Sequence, residues 1–404
     1  LEVVLVERQE HPRFAIGESS TPLAAICLER LADTYDLHDL ADLAAYGRWL
    51  DAMPQVRRGL KRGFTFYHHQ PGLELESRPD NPNRLLVAAS PDDAVADSHW
   101  LRADVDHHLV RRALEEGVEF SDRTDIREAR SSGGSGWLLQ GERDDSPFEL
   151  AAELVIDASG AGGFLAGALP IAETTNEIEL DTALVFGHFS DLGLFPEFNP
   201  GPYPDQLAAV HHILDEGWMY VLPFDHGVVS AGILLRRQAM AALEEAGVRG
   251  ADEIWRRVLD RYPTLAGQFA IARPVRSPAL MPRVQRRLRT ASGKGWAALP
   301  HTYTFLDPMY SPGIAWSLLG VERLASILTA GGVRKLPAAE TLAAGFERYE
   351  RQLASEARHL DTLMEGTYLA MRDFELFAAQ SMLYFVTVSF EEVTQRLFPR
   401  EPGA

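Results

Sequence analysis

"LEVVLVERQEHPRFAIGESSTPLA", residues 1–24, decides the fold class. Residues 1–8 are a short, valine-rich apolar run closing on Glu7, the pattern of a strand buried in a parallel sheet. The turn Gly17-Glu18-Ser19 follows, and Thr21 and Pro22 then open a helix, Thr21 as N-cap and Pro22 in the first turn. A parallel strand ending in an acid is a device of nucleotide-binding folds, where the carboxylate accepts hydrogen bonds from both hydroxyls of an adenosine ribose. Glu7 fits that role, or it is an ordinary acid after a strand. In the full device a first strand and a G-x-G-x-x-G turn lie about 20–30 residues earlier. The sequence starts at Leu1, too late to contain them, and is expected to be incomplete at its N-terminus.

Outward from this stretch, "TPLAAICLERLADTYDL" reads as a helix and "GFTFYHH" as a strand. "SHWLRADVDHHLVRRALEEGVEF" reads as a helix ended by Gly117 and followed by a strand. "SSGGSGWLLQG" and "DDSPFELAAELVIDASG" read as a hairpin region feeding a buried strand, with Gly133, Gly134 and Gly136 in a loop. Residues 181–236 carry alternating strands: "TALVFGHF", "WMYVLPF" and "GVVSAGILL". "ADEIWRRVLDRYPTLAGQFA" is helical, "GWAALP" a short strand, "SPGIAWSLLGVERLASILTA" a long helix, and residues 338–398 are helix-patterned. Strand–helix units that break off for an antiparallel sheet and then resume predict an α/β nucleotide-binding domain with an inserted substrate domain. Residues 1–30, 98–170 and 281–332 are assigned to the first, 31–97 and 171–280 to the second, and 333–404 to a helical C-terminal region.

Apolar residues make up 46% of the 404, enough to bury a large core. The net charge of −19, from 39 basic and 58 acidic residues, argues against nucleic acid or an anionic membrane as a general partner. No apolar run is long enough to span a bilayer, and no signal peptide is expected. Cys27, the single cysteine, sits in "LAAICLERL" and reads as a buried structural thiol, which fits a reducing compartment such as the cytoplasm. The histidine pairs at 68–69, 107–108 and 211–212 lack the spacing of a zinc site, so no metal is expected.

"ELVIDASGAGGFLAG" follows a strand with glycines at 160, 162 and 163, but Leu165 stands where a dinucleotide fingerprint needs its last glycine. It is a tight turn that lets backbone approach a cofactor, or a plain strand-to-helix corner.

These segments carry a resemblance. "LVIDASG" resembles the second nucleotide-contacting motif of the flavoprotein monooxygenase superfamily, and "ALPHTYTFLDPMYSPGIAWSLLGVERLA" its third. "HPRFAIGESSTP", "EGWMYVLPF" and "GLKRGFTF" resemble three segments of the flavin-dependent, tryptophan-halogenase-like branch: Gly-Glu-Ser, W-x-W-x-I-P and the active-site lysine. The matches run in family order from residue 1 to about 330. The resemblance implies an FAD-binding, Rossmann-like (three-layer ββα) domain with an inserted antiparallel sheet, here N-terminally truncated. Residues 1–8 would then be the second strand of that domain.

The resemblance also implies chemistry. Reduced FAD from a separate flavin reductase, oxygen, and chloride or bromide give hypohalous acid, which passes through a tunnel to a lysine and on to an electron-rich substrate. The implied substrate is a small aromatic, phenol or pyrrole, free or tethered to a carrier protein. Lys61 matches the lysine; beside Arg57, Arg58 and Arg62 it also reads as part of a solvated basic strand end. Trp218, Tyr220, Leu222 and Pro223 match the strand that shields the flavin, with Tyr for the second Trp and Leu for Ile, or form an ordinary core strand. Asp307, Pro308, Ser311, Pro312, Gly313 and Ile314 match the flavin-proximal turn, where N–H groups at a helix start hold halide. Pro312 removes one such donor. Glu7, Gly17, Glu18, Ser19, Asp157 and Gly160 map to cofactor contacts. Arg102 maps to the arginine of Arg-x-x-x-Asp, or is a surface helix residue. A hydroxylase or reductase of the same fold is the alternative activity, and a fragment or scaffold without FAD is the non-enzymatic one.

Overall fold

The computed structural model describes residues 1–132, 136–196, 198, 201–332 and 335–399. The valine-rich start forms β1 (Val4–Val6), and Thr21 and Pro22 open α1 (Pro22–Tyr35). Pro22 lacks only an N–H that would have no helical partner in the first turn. Cys27 is buried in α1, and burial pushes its thiol up to about 12, far from the reactive range. Next come α2 (Tyr46–Ala52), β2 (Arg58–Lys61), β3 (Gly63–His68), β4 (Arg84–Ala88) and β5 (Asp97–Trp100). α3 (Arg102–Glu115) stops at left-handed Gly117, φ 84°, and β6 (Glu119–Ser121) then pairs parallel with β1.

β7 (Thr124–Ser131), β8 (Trp137–Arg143) and β9 (Ser146–Ala152) form an antiparallel meander with Gly136 in the first connection. Gly133 and Gly134 lie outside the described residues. β10 (Val155–Asp157) runs through the turn at 160–162 into α4 (Phe164–Ala168). The inserted sheet is built from β11 (Thr182–Ser190), β12 (Ala209–Leu214), β13 (Gly217–Pro223) and β14 (Val229–Arg236). After α5 (Arg237–Glu245), α6 (Ala251–Leu259) and α7 (Pro263–Phe269) come the short strands β15 (Arg273–Pro274) and β16 (Ala279–Met281). β17 (Arg286–Arg287), β18 (Ser292–Gly293) and β19 (Trp296–Ala298) return the chain to β10, with which β19 pairs parallel. Finally come α8 (Pro300–Tyr303), β20 (Thr304–Phe305), α9 (Gly313–Thr329), α10 (Ala339–Ala370) and α11 (Phe374–Leu397).

The large sheet has the order β15-β11-β14-β13-β12-β3-β4, with β16 also on β11. β12 and β3 are parallel, and the other neighbours are antiparallel. Side chains alternate across it with period two. Met219, Val221 and Ile233 face α6 and α7, among Trp255, Val258 and Leu265. Trp218, Tyr220 and Leu222 face the opposite way, among Met309, Tyr310, Tyr368 and Phe385. That second face carries the candidate site. His211 and His212 fall on opposite faces: His211 lies against Phe64 and Trp218, while His212 lies against Tyr67 and hydrogen-bonds His69 at 2.9 Å.

Three expectations need correction. β1 is not fully buried: Val4 and Val6 are half-buried and Leu5 is 37% exposed, with β6 the one strand paired with it among the described residues. The segment from Ser98 is not helical until Arg102; Ser98, His99 and Trp100 belong to β5, paired with β2. The helical stretch 251–270 is two helices, since the ring of Pro263 would clash with the carbonyl four residues back and instead starts α7.

Candidate active site

Alternation along β13 aims Trp218 and Tyr220 at the turn that precedes α9. The indole Nε1 of Trp218 donates to Tyr368 Oη at 2.9 Å, and that hydroxyl donates to Asp307 Oδ2 at 2.9 Å. Asp307 Oδ1 accepts from the backbone of Met309 at 2.9 Å. Burial pushes the Asp307 carboxyl up to about 7, against the opposing pull of these hydrogen bonds. Tyr310 and Ser311 both adopt left-handed backbone, φ 63° and 57°. Two such non-glycine residues in succession are strained and need surroundings that over-determine them. The surroundings are there: Tyr310 Oη meets Ser381 Oγ of α11 at 2.9 Å, and Ser311 N donates to the Pro308 carbonyl at 2.9 Å. Pro312 is the residue before α9, so that helix start has one N–H fewer to offer an anion.

Lys61 is fully buried, not part of a solvated strand end. Its Nζ donates to the carbonyl of Ser20 and lies 4.0 Å above the Phe64 ring centre. Its direct cross-strand partner is Asp97, also buried. Burial lowers the lysine and raises the aspartate, and each charge partly opposes the other's shift.

The turn that presents the Ser20 carbonyl is held by Arg102. The guanidinium donates to the carbonyls of Ile16 (3.1 Å) and Gly17 (3.3 Å) and forks onto Asp106 at 2.7 and 3.0 Å. Gly17 takes φ 91°, where a side chain would be strained. Glu18 is buried, with Oε1 3.0 Å from His188 Nε2 of β11, and its carbonyl accepts from Trp100 N at 2.6 Å. Ser19 bridges to His99, whose Nδ1 reaches the Pro223 carbonyl at 3.1 Å. Thus the 16–20 turn, Lys61, β13 and the 307–313 turn converge on one face of the sheet.

Glu7, Asp157 and Gly160 are engaged elsewhere. Glu7 accepts from Gln9 N at 2.8 Å and Arg13 Nε at 3.0 Å. Asp157 accepts from the Ser159 amide and hydroxyl and from Leu165 N, so it organises its own turn. Gly160, φ 63°, donates to Thr302 Oγ1 at 3.0 Å, which joins this turn to α8.

Residues 92–374 match the family model described as tryptophan halogenase. The chain belongs to the tryptophan halogenase family. It is 26% identical over 397 residues to the monodechloroaminopyrrolnitrin halogenase PrnC of Pseudomonas fluorescens, covering 95% of this chain and 66% of that one. It is 27% identical over 326 residues to the tetracycline 7-halogenase of Kitasatospora aureofaciens, covering 78% of this chain and 56% of that one. The chain thus spans between 56% and 66% of the length of these two relatives. Among solved structures, halogenase PltM in complex with phloroglucinol and FAD superposes with a TM-score of 0.83 at 22% identity, covering 99% of this chain and 79% of that one. The flavin-dependent halogenase CmlS gives 0.68 at 19% identity, covering 94% and 62%. These likenesses establish the α/β fold with its antiparallel sheet.

Within this halogenase framework, Tyr220 in place of a second Trp is accommodated by Gly232. A Cβ at Gly232 would lie 2.6 Å from the Tyr220 ring. Gly59 has a similar duty, since a Cβ there would lie 2.0 Å from the Pro223 carbonyl oxygen. Gly59→Ala must push β2, with Lys61, off the end of β13. We expect a loss of about 1–3 kcal/mol in chemical denaturation. Gly167→Ala, where nothing lies within 4 Å, should melt like the parent.

Sequence reasoning missed Tyr368, Asp97, His99 and His188. Each is an ordinary residue of a helix or strand, and only the tertiary pairing gives it a place in the site.

Proposed function

We propose that this chain is an FAD-dependent halogenase acting on an electron-rich aromatic or pyrrole-type small molecule, with chloride or bromide as co-substrate. The observation that carries the reading is the fully buried ammonium of Lys61, set beside the Gly-Glu-Ser turn on the sheet face that also carries the 307–313 turn. The residues fit a flavin: Ser19 Oγ is buried without a partner, and Gly17 and Gly160 leave backbone open to close approach. In this reading residues 1–30, 98–170 and 281–332 hold FAD, through Gly17, Glu18, Ser19, Arg102, Gly160, Asp307, Pro308, Gly313 and Ile314, while Glu7 and Asp157 shape the turns around it through their own hydrogen bonds. FAD, reduced by a separate flavin reductase, supplies with oxygen the two-electron oxidation of halide to hypohalous acid.

The chain's own groups do the rest. Ser311 and Gly313 present donors to halide at the start of α9. Trp218, Tyr220 and Pro223 close off the flavin side from substrate. Lys61 Nζ holds hypohalous acid by hydrogen bond, or as the neutral amine exchanges N–H for N–X, the O–X bond breaking and water leaving, and presents the halogen to the aromatic ring. The substrate is free or carrier-bound, and the working location is the cytoplasm. Pro312 favours one second reading, a hydroxylase, because it removes a halide donor.

The test is turnover of an electron-rich arene with added FAD, a flavin reductase and bromide. A product with bromine's paired isotope pattern supports the halogenase; a product heavier by oxygen alone supports the hydroxylase. A chain that leaves free FAD's visible spectrum unchanged would count against both.

A further inference from the structure

α11 has two apolar faces. One packs inward: the Phe377 ring lies 5.3 Å from Phe66, the Phe385 ring 5.5 Å from Tyr310, and Ser381 Oγ meets Tyr310 Oη. The other is open to solvent. Leu376, Leu383, Phe390 and Leu397 recur at every seventh residue, and Ala379, Val386 and Val393 stand three positions after the first three of them. All seven are exposed, Leu383 by 71% and Phe390 by 72%. That spacing is the a/d seam of a coiled coil, sustained over three heptads on a helix about 36 Å long. A continuous apolar stripe of this kind on a protein surface marks an interaction site. The match to the family model ends at residue 374, where α11 begins.

Charge and side-chain size say what fits the seam. With a net charge of −19 the chain repels copies of itself, so self-association needs a contact free of like charges. The seam offers one. Its flanks are Gln380, Thr387 and Thr394 on one side and Met382 and Ser389 on the other, and the latter side closes on Glu375 at one end and Arg396 at the other. Two copies laid antiparallel, with Leu383 against the partner's Val386, bring each Glu375 to the partner's Arg396. Arg396 is held on that flank by Glu392 at 3.0 Å and by Glu29 at 3.3 Å, which Arg48 shares, and its side chain stays 46% exposed. The same register sets Phe390 against the partner's Ala379 and Leu376 against the partner's Val393, so large side chains face smaller ones. A parallel pair would instead set Phe390 on itself, leave a gap at Ala379 and match neither charge.

We propose that α11 is a homodimer interface, in which two copies of this chain pair antiparallel in the register that sets Leu383 against the partner's Val386. The seam is self-complementary, as a two-fold interface requires, and Thr387 falls beside the partner's Thr387 near the axis. Because the inward face of the same helix carries Ser381 and Phe385, the interface backs the 307–313 turn. The inference is independent of the halogenase reading, since nothing in it depends on the reaction.

The experiment is the mass of the full chain in solution, by light scattering and by sedimentation over a dilution series. The parent is expected to be a dimer with a dissociation constant of about 1 µM or below. Leu383→Glu puts a carboxylate into both central layers and should raise that constant at least about 100-fold. The position is exposed in the single chain, so the variant monomer should keep the parent's circular dichroism. Should it fold poorly, Phe390→Glu reads the outer layers from an equally exposed position. A monomeric parent overturns the proposal, and so does a folded variant that dimerises as the parent does. The register is read with Thr387→Cys and a short bismaleimide. The one native thiol, Cys27, is buried and stays unmodified. Antiparallel pairing puts the two introduced thiols side by side and gives a covalent dimer. Parallel pairing puts them on opposite flanks, so a dimer that does not cross-link overturns the antiparallel register.

Discussion

On the proposed halogenase reading, Lys61→Ala is expected to lose halogen transfer by about 10³-fold or more while FAD-dependent oxygen consumption continues. Lys61 contacts the Ser20 carbonyl and the Phe64 ring, while the Asp307 network and the 307–313 turn run through Trp218, Tyr368 and Tyr310. Its loss therefore removes the Lys61 donor without dismantling the 307–313 turn. Lys61→Met keeps more of the volume and should show the same separation. Because burial lowers the lysine, halogen transfer by the parent should fall as pH rises through a value well below that of an ordinary lysine. The stability effect has the matching sign. The unfolded chain binds the proton more tightly, so stability rises with pH between the lowered folded value and the ordinary one. Lys61→Met should lose that rise in denaturation curves taken across the alkaline range. Halogenation surviving at parental rate in Lys61→Ala removes the residue from the mechanism.

The sequence was informative where the local pattern and the tertiary role coincide. Thr21–Pro22 opens a helix in any context, and alternation along 217–223 fixed which residues share a face. It was less informative where burial follows from partners distant in the chain. Among the basic residues 57–62, Arg57 pairs outward with Asp104 and Arg62 with Asp93, but Arg58 is buried 6.0 Å from the Trp49 ring centre and Lys61 is buried completely. Four cations in six residues look solvated, and only the packing of β5, α2 and the turn before α1 around β2 makes two of them interior. β12 escaped notice for a related reason. Buried along its whole length, it shows no polar alternation to mark it. The reverse holds for β1, whose apolar run promised burial and is half-exposed. Tyr368 is the extreme case. It stands in the last turn of a 32-residue helix, 61 positions beyond Asp307, and no spacing rule links the two.

That link carries the second large effect. Asp307 is raised to about 7 by burial, so the folded state holds its proton more tightly than the unfolded chain does. For a carboxyl raised in this way the sign is opposite to that of a salt-bridged one. The cost is absent below the ordinary carboxylate range, grows as pH rises from there, and is complete above about 7. Asp307→Asn keeps the shape, keeps an acceptor for Met309 N, and cannot ionise. It should therefore gain about 2–4 kcal/mol over the parent at pH 8 and little at pH 4. Tyr368→Phe acts in the opposite direction. It strips Asp307 Oδ2 of its donor and Trp218 Nε1 of its acceptor, both in the interior. Each group left unpaired costs about 1–3 kcal/mol, and the variant should unfold at lower denaturant at every pH, most of all at pH 8. Pairing the two changes is the decisive measurement. If the turn is held through this chain of hydrogen bonds, the stability changes of Tyr368→Phe and Asp307→Asn will not add, because the two residues share one interaction. Strict additivity across pH 4–8 would mean that Trp218, Tyr368 and Asp307 are neighbours without coupling, and that the strained Tyr310–Ser311 turn is secured by α11 alone.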